Sequence, residues 1–125
     1  PLQYVAVQDV GFALNPLMVE GQLQGGALQG LAIGLQEQLV YDDDGHLLTP
    51  SFLDYALPRC DEAPSVEPVL VEVASPKGPF GIRGVGEPPI VPGPAALANA
   101  VRDATGIRVK KLPIRAPELW KKMQN

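Results

Sequence analysis

The spacing of apolar and polar positions changes several times along the chain. Residues 3–10 (Gln-Tyr-Val-Ala-Val-Gln-Asp-Val) are β-branched and partly alternating, which predicts a strand. Residues 11–16 break it, and Asn15-Pro16 is a turn or helix-start signal. From Leu17 to about Leu39 the period becomes helical, with Leu23, Ala27, Leu31 and Leu35 recurring four apart. A hairpin turn is expected at Asp42-Asp43-Asp44-Gly45, between two short apolar runs at 39–41 and 46–48. Residues 51–57 are a mixed apolar segment, and 59–68 a charged, proline-bearing loop. Residues 69–74 read as a second strand by β-branching. Residues 75–89 fit neither helix nor strand. An Ala-rich helix follows over 95–104, stopped near Gly106, then a strand over 107–114 and a last helical turn or two over 116–123 carrying Trp120. The order predicts an α+β fold (mixed α/β).

The long helix contains Gly21, Gly25, Gly26, Gly30 and Gly34. Each glycine costs a helix up to about 1 kcal/mol relative to alanine, so five require a packing reason. Gly26, Gly30 and Gly34 stack on one face and make a flat groove against which another backbone can lie. Glu20, Gln22, Gln24, Gln29, Gln36 and Glu37 interrupt the apolar run, so it is not a membrane span. A helix buried inside a larger protein, with Gln24 and Gln29 as packing amides, is the expected reading.

Composition sharpens this picture. The chain has 14 prolines and 13 glycines in 125 residues, roughly twice the ordinary usage. No period-three glycine repeat is present, so collagen is excluded. Hydrophobic residues make up 46%, too many for a disordered polymer. Cys60 is the only cysteine and His46 the only histidine. That excludes an intrachain disulfide, a cysteine cage for zinc or iron–sulfur, and any triad or histidine metal site not built on His46. Cys60 is expected as a partly buried free thiol. The acids at 42–44 lack the twelve-position calcium loop with its terminal Glu, which favours a solvated turn. Net charge is −4, which argues against a nucleic-acid partner. Residues 101–125 nevertheless carry seven basic side chains and two acids; they could touch nucleic acid or an acidic partner surface, but a solvated end or subunit contact is the favoured reading. The start at Pro1 carries no signal peptide and is not Met, so a processed product or a piece of a longer chain is expected, with a cytoplasmic setting as the default.

The most informative stretch is 78–89. Gly78, Gly81, Gly84 and Gly86 permit positive φ and close approach of backbone to a ligand. Glu87 is the only acid in residues 73–102, and Pro88-Pro89 biases it toward an extended conformation and stiffens the chain beyond it. A carboxylate presented this way suits a general base, and burial by Val85, Ile90 and Val91 would raise its pKa. The plainer alternative is a proline-rich connector in which Glu87 caps the next helix or pairs with Arg83. Neither GxGxxG after a strand nor GxxxxGK[ST] is present.

Taken together, Val7-Gln8-Asp9-Val10-Gly11, Leu14-Asn15-Pro16, the run from Gly21-Gln22 to Gln29-Gly30, and Lys77-Gly78-Pro79-Phe80-Gly81-Ile82-Arg83-Gly84-Val85-Gly86-Glu87-Pro88-Pro89 carry a resemblance. In this order and spacing, over essentially the whole chain, they resemble the C-terminal end of the molybdenum-binding subunit of the molybdenum hydroxylases. These are the xanthine dehydrogenase, aldehyde oxidoreductase and carbon monoxide dehydrogenase relatives. The resemblance implies that residues 1–125 are the C-terminal segment of a molybdopterin-binding catalytic domain. It implies that Glu87 is the general base beside the molybdenum, that Gln22 contacts the molybdopterin, and that Gly84, Val85 and Gly86 line the same site. It assigns no metal ligand. Arg83 stands where many relatives have lysine. The implied reaction is hydroxylation of an electron-poor carbon of an aldehyde or N-heterocycle, with water as oxygen source. The implied cofactor is molybdopterin, commonly as the cytosine dinucleotide, with 2Fe–2S clusters and FAD on other domains or subunits. The implied partners are the remainder of the molybdenum-binding chain, the iron–sulfur and flavin subunits, and a small-molecule substrate. In isolation such a segment is expected to be inactive. The alternative is a non-catalytic assembly module that docks a partner through its glycine groove and basic tail.

Overall fold

The computed structural model of the chain describes residues 3–124. Strands β1 (Gln3–Asp9) and β2 (Ser65–Val71) pair in parallel, with Tyr4 opposite Val66 and Asp9 opposite Val71. Between and after them lie helices α1 (Pro16–Leu35), α2 (Pro92–Thr105) and α3 (Ala116–Met123). The chain divides into two compact units, one of residues up to Gly30 with Pro64–Gly93, the other of Leu31–Ala63 with the residues from Pro94 onward.

In the first unit the alternation of β1 turns Tyr4, Ala6 and Gln8 inward and leaves Val5 and Val7 exposed. Ala6 packs on a small core of Val10, Ala13 and Leu23, joined by Val19, Leu70 and Val85. Helix α1 begins where its sequence predicts. The Asn15 side-chain oxygen accepts the Met18 N–H at 3.2 Å, and Pro16 takes a first-turn position at which its missing N–H costs nothing. Leu23 is fully buried, so Leu23→Ala is expected to destabilise the intact protein by about 2–5 kcal/mol in denaturant unfolding. A change below about 1 kcal/mol would show that this core does not hold the helix.

The glycine face of α1 does what its spacing predicts. A Cβ at Gly26 would stand 2.7 Å from the Cβ of Pro89, and one at Gly30 would run into the Ile90 carbonyl oxygen, with the Gly93 Cα at 3.2 Å. Only hydrogen fits there, and the segment 89–93 lies directly on the helix.

The loop before that segment is sewn to the end of β1. The Phe12 and Ser75 N–H groups both reach the Gly81 carbonyl at 2.9 Å, and Arg83 N–H reaches the Val10 carbonyl at 3.2 Å. Gly11, at φ 68°, has no room for a side chain against this loop. The Glu72 carboxylate accepts the Ala13 N–H at 2.8 Å from the other side.

In the second unit Leu31, Ala32, Leu97 and Ile114 are buried. Gly34 faces Leu97, and the Ile114 N–H donates to the Gly34 carbonyl at 2.7 Å. Gly106, at φ 75°, ends α2 with its N–H on the Arg102 carbonyl, the left-handed cap that glycine allows. The expected hairpin is present, with Tyr41 bridged to Leu47. Its turn is organised by Asp42, whose carboxylate accepts the main-chain N–H of His46 and of Asp44 and meets the His46 ring at 3.0 Å. The His46 main-chain hydrogen bond is the main reason that the Asp42 carboxyl lies below its ordinary pKa.

Several expectations need correction. Strand β2 occupies 65–71 rather than 69–74, so its first half came from the segment read as a loop. Pro68 disguised it, since proline is disfavoured in strands. Residues 107–114 form no strand: the two described strands pair with each other, and this segment has no ladder partner. Helix α1 ends at Leu35, four residues early, where the Gln36 and Glu37 N–H groups both close on the Ala32 carbonyl. Cys60, expected to be partly buried, is exposed, and so are Gln24 and Gln29, expected to pack.

Candidate functional site

The five residues singled out in the sequence all belong to the first unit: Gln22 on α1, and Gly84, Val85, Gly86 and Glu87 on the loop after β2. Their placement follows from two buried neighbours. Leu23 points into the core and fixes the rotation of α1, which leaves Gln22 exposed beside it. Val85 packs on the same core and fixes the loop. The residues next to these two anchors therefore meet: the Gln22 Nε2 lies 3.8 Å from the position of a Cβ on Gly86.

Glu87 follows directly and is held from both sides. Before it, Gly86 lies against Gln22; after it, Pro89 is buried against Gly26, one turn further along the same helix. The Ile90 N–H donates to the Glu87 carbonyl at 3.0 Å and closes a tight turn over the two prolines. The carboxylate itself is exposed. The enclosure expected from Val85, Ile90 and Val91 is not made within this chain: Val85 and Ile90 are half-buried, and Val91 is 75% exposed. Nor does Glu87 pair with Arg83, whose guanidinium Nε sits 3.1 Å from Asp9.

Glycine at 84 and 86 is not required by the fold of this chain. Neither adopts the positive φ that glycine permits, and among the four glycines of the loop only Gly81 does. A Cβ at Gly84 would meet nothing within 4 Å, and one at Gly86 would make only ordinary contact with Gln22. What Gly84 leaves is open space beside the loop. None of the main-chain hydrogen bonds among the described residues uses the N–H of Gly84, Val85 or Gly86. These N–H donors and the Gln22 carboxamide, which offers both donors and an acceptor, are the kind of groups that a heteroaromatic ring system such as a pterin takes. The residues present fit that group.

Sequence reasoning missed how the loop is anchored. Asp9, noted only as part of a motif, takes the Arg83 side chain. The relevant signal was that Arg83 is the one cation between Lys77 and Arg102, with acids available both at Asp9 and at Glu87. A further cluster of possible ligand atoms, Asp42, Asp44 and His46, lies within 4.8 Å, but its atoms build the exposed hairpin turn.

Comparison with known proteins defines the class. The molybdopterin cofactor-binding domain family matches residues 1–64. The chain belongs to the molybdenum hydroxylase family, within its molybdopterin-binding domain. It is 46% identical over 99 residues to the nicotine 6-hydroxylase large subunit of Paenarthrobacter nicotinovorans, covering 79% of this chain and 12% of that protein. It is 36% identical over 122 residues to the carbon monoxide dehydrogenase large chain of Afipia carboxidovorans, covering 95% and 15%. Its fold superimposes on quinoline 2-oxidoreductase from Pseudomonas putida with a TM-score of 0.88 and 34% identity, over 97% of this chain and 16% of that one. The chain thus spans less than a fifth of the length of these relatives. Among the described residues no helix is long and apolar enough to cross a membrane.

Proposed function

We propose that the chain supplies one wall of the active site of a molybdenum-dependent hydroxylase, with Glu87 as the general base. The observation that carries this reading is the meeting of Gln22 on α1 with Gly86, the loop residue directly before the exposed Glu87. When bound, molybdopterin supplies a two-electron redox centre. This chain would do the rest of its part with fixed polar groups. The Gln22 carboxamide and the N–H groups of Gly84, Val85 and Gly86 bind and orient the pterin edge, and the open space at Gly84 admits it. Glu87 accepts a proton at its carboxylate as water-derived oxygen is delivered to an electron-poor carbon. The stiff Pro88-Pro89 exit keeps that carboxylate at one distance from the substrate, and orientation of this kind is where much of a catalytic advantage resides.

The nicotine and quinoline enzymes among the relatives favour an N-heterocycle as substrate, with an aldehyde as the other candidate. The cofactor is proposed as the cytosine dinucleotide. The electrons are proposed to leave toward 2Fe–2S and FAD groups on partner domains or subunits, and the remainder of the molybdenum-binding chain is proposed to complete the pocket. Metal analysis and a substrate panel on the intact complex, run in isotopically labelled water, test the reading. Molybdenum together with label in a hydroxylated heterocycle or aldehyde is expected; a complex lacking molybdenum overturns it and leaves the docking-module alternative. Gln22→Ala removes one or two hydrogen bonds of about 1 kcal/mol each. It should lower molybdopterin affinity roughly tenfold, measured as cofactor retained on prolonged dialysis. Wild-type retention would remove Gln22 from the site.

A further inference from the structure

One carboxylate ties together three segments around the candidate site. Asp9 closes β1, and its Oδ1 accepts the N–H of Gly11 at 2.9 Å and that of Val73, beyond the end of β2, at 3.4 Å. Its Oδ2 takes the Arg83 guanidinium Nε at 3.1 Å. Residue 83 is thereby held twice, since its own N–H is bound to the Val10 carbonyl at 3.2 Å. Two residues later Val85 enters the core, and two residues after that Glu87 projects. The charge arrangement matters as well. Arg83 precedes Glu87 by four residues and is the nearest cation to it in the chain. With its guanidinium on Asp9, Arg83 leaves the Glu87 carboxylate unpaired by the cation best placed in sequence to neutralise it.

We infer that Asp9 is a positioning residue: through Arg83 it sets the place of the Glu87 loop. The inference rests on the reading of Glu87 as the base. Both side chains are partly exposed, and such a pair adds little to global stability. Loss of the pair therefore separates loop position from unfolding. Small displacements of a reacting group reduce turnover steeply, so the effect is expected in kcat.

The test uses the intact complex. Asp9→Asn keeps the side-chain oxygen that serves Gly11 and Val73 but removes the charge that holds Arg83, and Arg83→Gln removes the cation. Each is expected to lower kcat about tenfold with molybdenum content unchanged and KM within about threefold. The double variant is expected to be no slower than either single variant, because the pair acts as a unit. Arg83→Lys is expected to restore kcat. Hydrogen exchange of the 78–89 segment should be faster in both single variants and ordinary in Arg83→Lys. Wild-type kcat and exchange in both single variants overturn the inference, and so does a loss of kcat that only follows loss of molybdenum. The two readings fail separately. Unchanged exchange together with an inactive Glu87→Gln enzyme removes the Asp9 role alone. Faster exchange in the single variants together with an active Glu87→Gln enzyme removes the base assignment.

Discussion

Glu87→Gln in the intact enzyme is expected to lower kcat by at least about 10²–10⁴-fold, the usual contribution of a positioned general base, while molybdopterin stays bound. The substitution is nearly isosteric and falls on an exposed side chain, so nothing in the packing of this chain should respond to it. The turn that carries the residue is held by its main-chain carbonyl and by Pro89, neither of which is altered. Cofactor content and melting temperature should therefore match wild type while turnover is lost. A fully active Glu87→Gln enzyme would sink the assignment. The plainer alternatives make the opposite forecast, since a connector or an assembly contact would register the change in stability or association and leave turnover intact.

Gly30→Val should have the largest effect on the support beneath the site. Its Cβ would be driven into the Ile90 carbonyl oxygen, and the Gly93 Cα at 3.2 Å blocks relief on the other side. Main chain, unlike the end of a long side chain, cannot step aside alone, so residues 90–93 would have to lift from α1. Overpacking of this kind costs about 1–3 kcal/mol, and Pro89 and Glu87 would be carried away with the segment. The expected outcome is a lower melting temperature together with reduced molybdenum content, measured on the same preparation. Retention of both at wild-type levels would show that segment and helix do not rely on this contact.

The helix was legible because its four-residue apolar spacing, its Asn-Pro start and its stacked glycines all report the same face. The first strand was legible for a similar reason. The 107–114 segment has strand-like residue types, but strand formation also needs a neighbour, and composition does not reveal that none is in place. Pro68 hid half of β2 from a reading that treats proline as a breaker. At the candidate site, residue types and motif resemblance point to Gln22 and Glu87, whereas the meeting of Gln22 with Gly86 arises from the burial of Leu23 and Val85, a tertiary fact. The exposure of Glu87 is not legible in the sequence, because apolar neighbours along the chain need not be neighbours in space. The Asp9–Arg83 pair spans 74 positions, and the isolation of Arg83 among cations could not by itself decide between Asp9 and Glu87 as its partner.

The parallel pair of strands has a practical consequence. Val5, Val7, Val69 and Val71 stand exposed on a sheet only two strands wide. Parallel strands ordinarily have both faces covered, and a bare apolar sheet is a template for self-association. Expressed alone, the segment should form aggregates or inclusion bodies, and charged replacements at Val5 and Val7 should improve its solubility yet prevent its assembly into the full enzyme. On that expectation, solubility and incorporation would make opposing demands on Val5 and Val7.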